Sequence, residues 1–456
     1  MNIKMVKNKN ILNTDYLIIG NSAAGLSAAE NIRKNDKNSP ITVLTKEKYS
    51  NYSKPLTTYY LAGRLEPGNL YFKKSNFYEE NNIDLKTNQN VVSIKSSDNL
   101  AITEQGNQYL YNKLLIASGG RPIIPEIRVI DKTGKTLSLD EAMSSVKGIF
   151  TLTTLDDAIM IRKYINEYSI KTASILGGGL IGLKAAEALL GLHLNINIVE
   201  LSDKLLSASF DETASGILIE AIKKSGSSIY CGQTIEEIYT ENNSINSFKL
   251  SNGRKIPSDL LILAVGVLPD TGYLKNSGIK TDAGIITDSR MKTSIDNIYA
   301  AGDIVKSHDV LSGSDKNMAI WPIAVKQGEV AGSNMSGIDT AYPGGFLMNS
   351  VEILGMPMIS LGQSSIEYDD KNKDLKVYKS HDTDRKIYRK IVVRQNRAVG
   401  AILIGAIERA GIYWGLINNN VDVSEIGENI VKEDFGLIQL PADYRKHLVV
   451  GEGIEV

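Results

Sequence analysis

Cysteine is nearly absent: the 456 residues hold one, Cys231. A single thiol excludes an internal disulfide framework and any zinc or iron–sulfur site built from cysteines of this chain alone. Histidine is scarce too. His193, His308, His381 and His447 lie far apart in sequence, so no metal site is expected. An excess of charge of one sign is also missing: the net charge is −1, which argues against a nucleic-acid partner. No run approaches the roughly 18 apolar residues that span a bilayer. The opening MNIKMVKNKNILNTDYLIIG has lysines but no signal-type apolar core ending in small residues, so a cytoplasmic protein without a membrane segment is expected. What remains is ordinary for a globular chain, 42% hydrophobic and 23% charged. The length is too great for one core and implies two or three domains.

Two segments share one layout. DYLIIGNSAAGLSAAENIRK (15–34) is an apolar run, a turn of small residues and a helix-like stretch, and a second apolar run follows at Ile41–Glu47. TASILGGGLIGLKAAEALLGLHLNINIVE (172–200) repeats the pattern. This strand–turn–helix–strand order is that of a dinucleotide-binding unit. In the second copy Gly177, Gly179 and Gly182 fit G-x-G-x-x-G. They serve the tight turn, the approach of a pyrophosphate with Leu180 and Ile181, and close helix packing. Glu200 ends the next strand, about 20 residues on, where a carboxylate accepts from both ribose hydroxyls and repels a 2′-phosphate. That favours NAD over NADP; a solvated strand-end charge is the plainer reading of Glu200. In the first copy Gly20, Ser22, Ala23 and Gly25 form the turn, with serine at the middle glycine position. Glu47 is the only carboxylate near the following strand end, either a ribose contact or a surface turn residue.

Four segments together, GNSAAG, LLIASGGRP, GGGLIG with Glu200, and NIYAAGDIV, resemble the FAD-dependent pyridine nucleotide oxidoreductases, flavoproteins with two dinucleotide sites. The resemblance covers most of residues 14–340. It implies an α/β fold with two Rossmann-like dinucleotide-binding domains, for FAD and NAD, plus a small α+β C-terminal domain. The FAD domain is expected at 14–150 and 276–338, the NAD domain at 151–275, and an interface or dimerisation domain at 339–456. On the family pattern, Asp303 after Gly302 binds the FAD ribitol. Ala117, Ser118 and Gly119 approach the flavin nucleotide, the helix at Trp321 and Ala324 starts near the flavin pyrimidine edge, and Gly266 lies on the NAD side. YSNYSKPLTTYYLAGRL (49–65), with Lys54 and Pro55, is similar to the rubredoxin reductase and nitrite reductase flavin-domain branch. So is the tail with FLMNSVEILGMPMISLG. In the tail, Gly405 and Arg409–Gly411 are either flavin-side backbone or ordinary turns.

This chain departs from the family at two places. Relatives that reduce disulfides, peroxide or oxygen carry a reactive cysteine after the second strand, and residues 49–65 have none. Cys231 reads as a buried structural thiol, so the implied electron path runs from NADH through FAD to an external acceptor. The family glutamate near flavin N5 is Lys184 here, and its lysine partner has become Thr58. Two readings stand for Lys184. In one it is a cation beside N5, worth about 3–4 kcal/mol at roughly 4–5 Å and an effective dielectric near 20. In the other it is a helix lysine paired with Glu187. Lys54 is a second candidate cation beside the flavin, or a solvated loop residue. The function implied is an NADH:acceptor oxidoreductase serving a rubredoxin, a ferredoxin or an iron–sulfur partner subunit. The alternatives are a peroxide-forming NADH oxidase and a flavin-binding subunit of a larger complex. A homodimer is a further possibility. Glu126–Lys147 looks longer than the family linker, either a partner-docking segment or a surface excursion.

Overall fold

The computed structural model describes residues 11–367, 374–441 and 444–445, so His447 lies outside them. The chain divides into two compact units. One runs to Pro122 and resumes over Val267–Phe346; the other comprises Ile123–Gly266 and the chain from Leu347 onward. The breaks therefore fall at 122/123, 266/267 and 346/347, where sequence alone places them at 150/151, 275/276 and 338/339. Strand pairing is the reason for the first shift. Arg128–Asp131 pairs with Ile235–Glu241, and Ile149–Thr151 pairs with Leu260–Leu263, which ties residues 123–150 to the second unit.

The first unit is built on β1 (Ile11–Ile19), α1 (Ala23–Asn35), β2 (Ile41–Leu44) and β3 (Gln108–Ile116). β1 lies parallel between β2 and β3, and the strand Ile298–Ala300 joins β3 on its other side. Leu17, Ile19, Leu44, Leu114, Ile116 and Ile298 form its core. A parallel sheet is covered on both faces, which is why these strands read as apolar runs rather than alternations. The helix Trp321–Met335 packs on α1 backbone to backbone. A Cβ on Gly328 would lie 2.2 Å from the Ala24 carbonyl oxygen, and one on Gly332 would lie 2.4 Å from that of Ala28. Only small residues on both helices allow that approach.

The second unit repeats the plan with β4 (Thr172–Leu176), α2 (Leu180–Leu190), β5 (Asn195–Glu200) and α3 (Glu212–Lys224). Its parallel sheet runs Ile149–Thr151, Leu260–Leu263, β4, β5, Ser228–Cys231. A second sheet holds Ile235–Glu241, Ser244–Leu250 and Lys255–Pro257, extended by Arg128–Asp131 and Thr136–Ser138. The segment 126–147 is thus built into a sheet as a hairpin, followed by the capped helix Leu139–Met143. The remainder is a five-stranded antiparallel sheet from Met348 to Ile404, with the helix Ala410–Asn418 against its Arg397–Ile404 strand.

Candidate functional sites: two dinucleotide cradles

In the first unit, β1 delivers the chain into a turn that only glycine can make. Gly20 has φ +118°, and a Cβ there would sit 2.1 Å from the Ala117 carbonyl oxygen. A Cβ on Gly25 would meet the Gly20 carbonyl oxygen at 2.0 Å. These contacts hold the start of α1 against the ends of β1 and β3. No side chain caps α1 and its first turn carries no acid, so its free N–H groups and positive dipole end are left for an anion. Ser22 and Ala23 stand at this opening. Ala117 continues β3 by donating its N–H to Ile19 O at 2.8 Å, and Ser118 Oγ lies 2.9 Å from Tyr273 OH. Gly119 O accepts from the Asp270 N–H at 3.2 Å.

Two acidic groups of this unit share the Lys54 ammonium as a neighbour. Glu47, just beyond β2, accepts from Tyr52 OH at 2.5 Å and Lys54 Nζ at 3.0 Å. Burial pushes the Asp303 carboxyl above the usual carboxylate range, while the Lys54 ammonium pulls it the other way. Among the described residues the Asp303 carboxylate accepts no hydrogen bond. Asp303 is held by its backbone, which accepts from Asn317 Nδ2 at 2.5 Å, and Gly302 N–H donates to Gln327 Oε1 at 2.8 Å. Lys54 and Pro55 open a helical turn, and Thr58 is buried with Oγ1 3.5 Å from Pro55 O. Trp321 and Ala324 open the helix that packs on α1, with Phe72 edge-on to Trp321 at 5.0 Å. The glycine turn, the uncapped helix and a desolvated carboxylate without a donor fit a dinucleotide with a polyhydroxyl chain, as in FAD.

The second unit repeats the turn. Gly177 has φ +117°, and its Cβ would lie 2.3 Å from Ala264 O. Gly182 packs on Gly177 O at 2.0 Å by the same measure, while a Cβ on Gly179 would meet nothing within 4 Å. That opening lies at the uncapped start of α2, beside Leu180 and the exposed Ile181. Sequence reading passed over Gly178. A Cβ there would press on Leu205 Cδ2 at 2.5 Å and Glu200 Oε2 at 3.1 Å. Glu200 is fixed by Gly178 N–H at 2.5 Å and Ser202 N–H at 2.8 Å, which leaves lone pairs for ribose hydroxyls. Gly266, φ +122°, accepts from the Ile123 N–H at 3.0 Å. These residues fit NAD(H).

Lys184 and Glu187 form an ion pair one turn apart on α2. Both also bond to the backbone of the strand Met348–Ile353 and its turn: Lys184 Nζ donates to Glu352 O at 3.0 Å, and Glu187 Oε1 accepts from Leu354 N–H at 3.0 Å. The Glu187 pairing was legible as a spacing of three; the hairpin contact had no local signal. Cys231 pairs in register with Glu200. Burial raises its thiol pKa, and the negative charges of Glu200 and Asp203 raise it further, so the nucleophilic thiolate is disfavoured. No group of three or more His, Cys, Asp or Glu side chains gathers to hold a metal among the described residues. Among them, no helix is long and apolar enough to cross a membrane.

Two glycine-turned dinucleotide cradles, each with a carboxylate at or just past the end of the next strand, are the arrangement of a two-nucleotide flavoprotein. Residues 14–328 match the pyridine nucleotide-disulphide oxidoreductase model, and 348–421 match the rubredoxin NAD+ reductase C-terminal domain. The chain is 33% identical over 358 residues to the NADH-dependent phenylglyoxylate dehydrogenase subunit epsilon of Aromatoleum evansii, covering 78% of this chain and 81% of that one. It is 30% identical over 394 residues to the NADH-rubredoxin oxidoreductase of Clostridium acetobutylicum, covering 86% and 92%. The crystal structure of the NADH:rubredoxin oxidoreductase from Clostridium acetobutylicum superposes with a TM-score of 0.71 at 26% identity, covering 91% and 97%. The chain belongs to the pyridine nucleotide-disulphide oxidoreductase family. It is an NADH-dependent flavoprotein oxidoreductase with FAD and NAD(H) as cofactors.

Proposed function

We propose that the protein passes electrons between NAD(H) and a one-electron protein carrier, a rubredoxin, a ferredoxin or an iron–sulfur partner subunit, without using a thiol. The observation that carries this is the chemistry of its single cysteine. Cys231 pairs with Glu200 on the NAD side and is held toward its neutral form. FAD, when bound, takes a hydride's electron pair and releases electrons singly. The chain's own residues bind and align. Gly20–Gly25 and Gly177–Gly182 seat the pyrophosphates, Asp303 and Glu200 take hydroxyls, and the Glu47–Lys54 pair shapes the flavin-side loop.

For Lys184, the contacts support the ion-pair reading. Its charge is met by Glu187 and the Glu352 carbonyl, which ties α2 to the C-terminal hairpin. A second reading, a subunit of a larger oxidoreductase, is favoured by the relative that is itself named a subunit. A homodimer and a cytoplasmic location belong to this proposal as well.

The test is anaerobic. FAD is reduced with NADH, and the sample is divided between rubredoxin, ferredoxin and oxygen. Fast reoxidation by a carrier with slow oxygen turnover is expected. Fast oxygen consumption with peroxide release and no carrier preference would make the protein an oxidase.

A further inference from the structure

Residues 201–211 join β5 to α3 and touch the second cradle at two points. Ser202 N–H donates to the Glu200 carboxylate at 2.8 Å, and Leu206 N–H donates to Gly178 O, inside the phosphate turn, at 3.0 Å. Leu206 is not a glycine, yet its φ is +54°. A leucine stays in the left-handed region only where its surroundings fix it. What fixes this segment comes from the C-terminal sheet of the same unit. Ser364 Oγ donates to Ser209 O at 2.7 Å, and Asn349 Nδ2 donates to Ser209 Oγ at 3.1 Å. Ser209 N–H in turn donates to Leu206 O at 2.9 Å. An unbroken run of hydrogen bonds therefore leads from Ser364 through Ser209 and Leu206 to Gly178. Tyr388 OH and Lys390 hold the far end of the segment at Asp211. Ser364 is buried, and Gly400 on the neighbouring strand gives it room: a Cβ there would lie 2.7 Å from Ser364 N.

We infer that Ser364 and Asn349 are positioning residues for NAD(H): the C-terminal sheet sets the shape of the second phosphate turn and the place of its ribose carboxylate. The inference rests on NAD(H) occupying that cradle. The sheet acts on the nucleotide through residues 201–211 rather than by touching it. Backbone N–H groups hold a pyrophosphate only when they are aligned on it, so a small shift at Gly178 is felt as lost affinity.

The experiment uses the full chain with FAD bound, so that only the second cradle is open to ADP. Calorimetry gives the ADP dissociation constant. Steady-state kinetics with a small dye as acceptor gives KM for NADH and kcat. Ser364→Ala should weaken ADP and raise the NADH KM about 3- to 10-fold, the span of one neutral hydrogen bond, with kcat unchanged. Asn349→Ala should act in the same direction. Ile391→Val truncates a buried residue of the same sheet and controls for mere softening; it should lower Tm and leave ADP affinity as it is. A change of ADP affinity under threefold in Ser364→Ala, an equal loss in Ile391→Val, or a fall in kcat with KM unchanged overturns the inference. Should Ser364→Ala fail to fold, Asn349→Ala decides by the same measure. Glu200→Ala separates this inference from the reading beneath it. If Glu200→Ala also leaves ADP affinity unchanged, the cradle assignment and this inference fall together. If Glu200→Ala weakens ADP and Ser364→Ala does not, this inference alone is refuted.

Discussion

Lys390→Met should be the most damaging single change outside the two cradles. Lys390 Nζ lies 3.3 Å from Asp211 Oδ2 and 2.9 Å from Glu367 Oε1. The side chains of Lys390 and Asp211 are 0% and 1% exposed, whereas Glu367 is 47% exposed and can turn to water. Methionine conserves most of the volume and leaves Asp211 as a buried, unneutralised anion. Removing one partner of a buried pair costs about 3–5 kcal/mol. Asp211 keeps Tyr388 OH at 2.6 Å and the Ala214 N–H of α3 at 2.9 Å, so the lower end, about 3 kcal/mol, is expected. For a unit of this size that is a fall in Tm of about 6–12 °C. The pH dependence has a definite sign. Burial alone would raise the Asp211 carboxyl, but hydrogen bonds from Tyr388 and Ala214 and the charge of Lys390 outweigh it and hold it below its usual value. Its stabilisation is therefore full above the unfolded carboxylate pKa and is lost as pH falls through the lower folded value. Lys390→Met raises that folded value, so acid unfolding should begin at a higher pH. Thermal melts near neutrality and in mild acid read both effects. Asp211→Asn combined with Lys390→Met should restore part of the loss. A cost under about 1 kcal/mol with an unchanged acid midpoint would refute a buried, functioning pair.

Three further outcomes follow from the sites. Glu200→Ala should raise the KM for NADH about 10- to 100-fold and narrow the preference over NADPH, because the ribose loses a charged acceptor; steady-state kinetics with both nucleotides checks it. Lys184→Gln should leave the flavin midpoint potential unchanged and lower stability, as an ion-pair role requires. If Lys184 were instead a cation beside N5 worth about 3–4 kcal/mol, its loss would lower the two-electron potential by roughly 65–85 mV. Asp303 is raised by burial in the flavin-free protein, and a hydroxyl donor favours its ionised form. FAD affinity should therefore rise with pH through a range above the ordinary Asp pKa of about 4. Asp303→Asn should flatten that dependence in FAD-release measurements.

Both cradles were legible because their demands are steric. A turn that brings a carbonyl oxygen to 2.1 Å (Gly20) or 2.3 Å (Gly177) from a would-be Cβ admits glycine alone, and the two glycines announce it in the sequence. The place of Glu200 at the end of the next strand was legible by its distance from that turn. What could not be read depended on partners distant in sequence. Lys184 has an obvious helical neighbour in Glu187, but its bond to Glu352 spans 168 positions. Lys390 opens the run KIVVR, which carries no local sign of burial, yet it is wholly buried, where Asp211 meets it. The hairpin at 128–138 was hidden for a different reason. Its strands are short and polar, and only pairing with Ile235–Glu241 makes them strands.

The central claim is that electrons move through the flavin with no thiol in the path. An anaerobic reductive titration that counts electrons per bound FAD tests it most directly. Two electrons per FAD, with the same count in Cys231→Ser, is the predicted result. Four electrons per FAD, falling to two in Cys231→Ser, would show a redox-active sulfur and contradict the account.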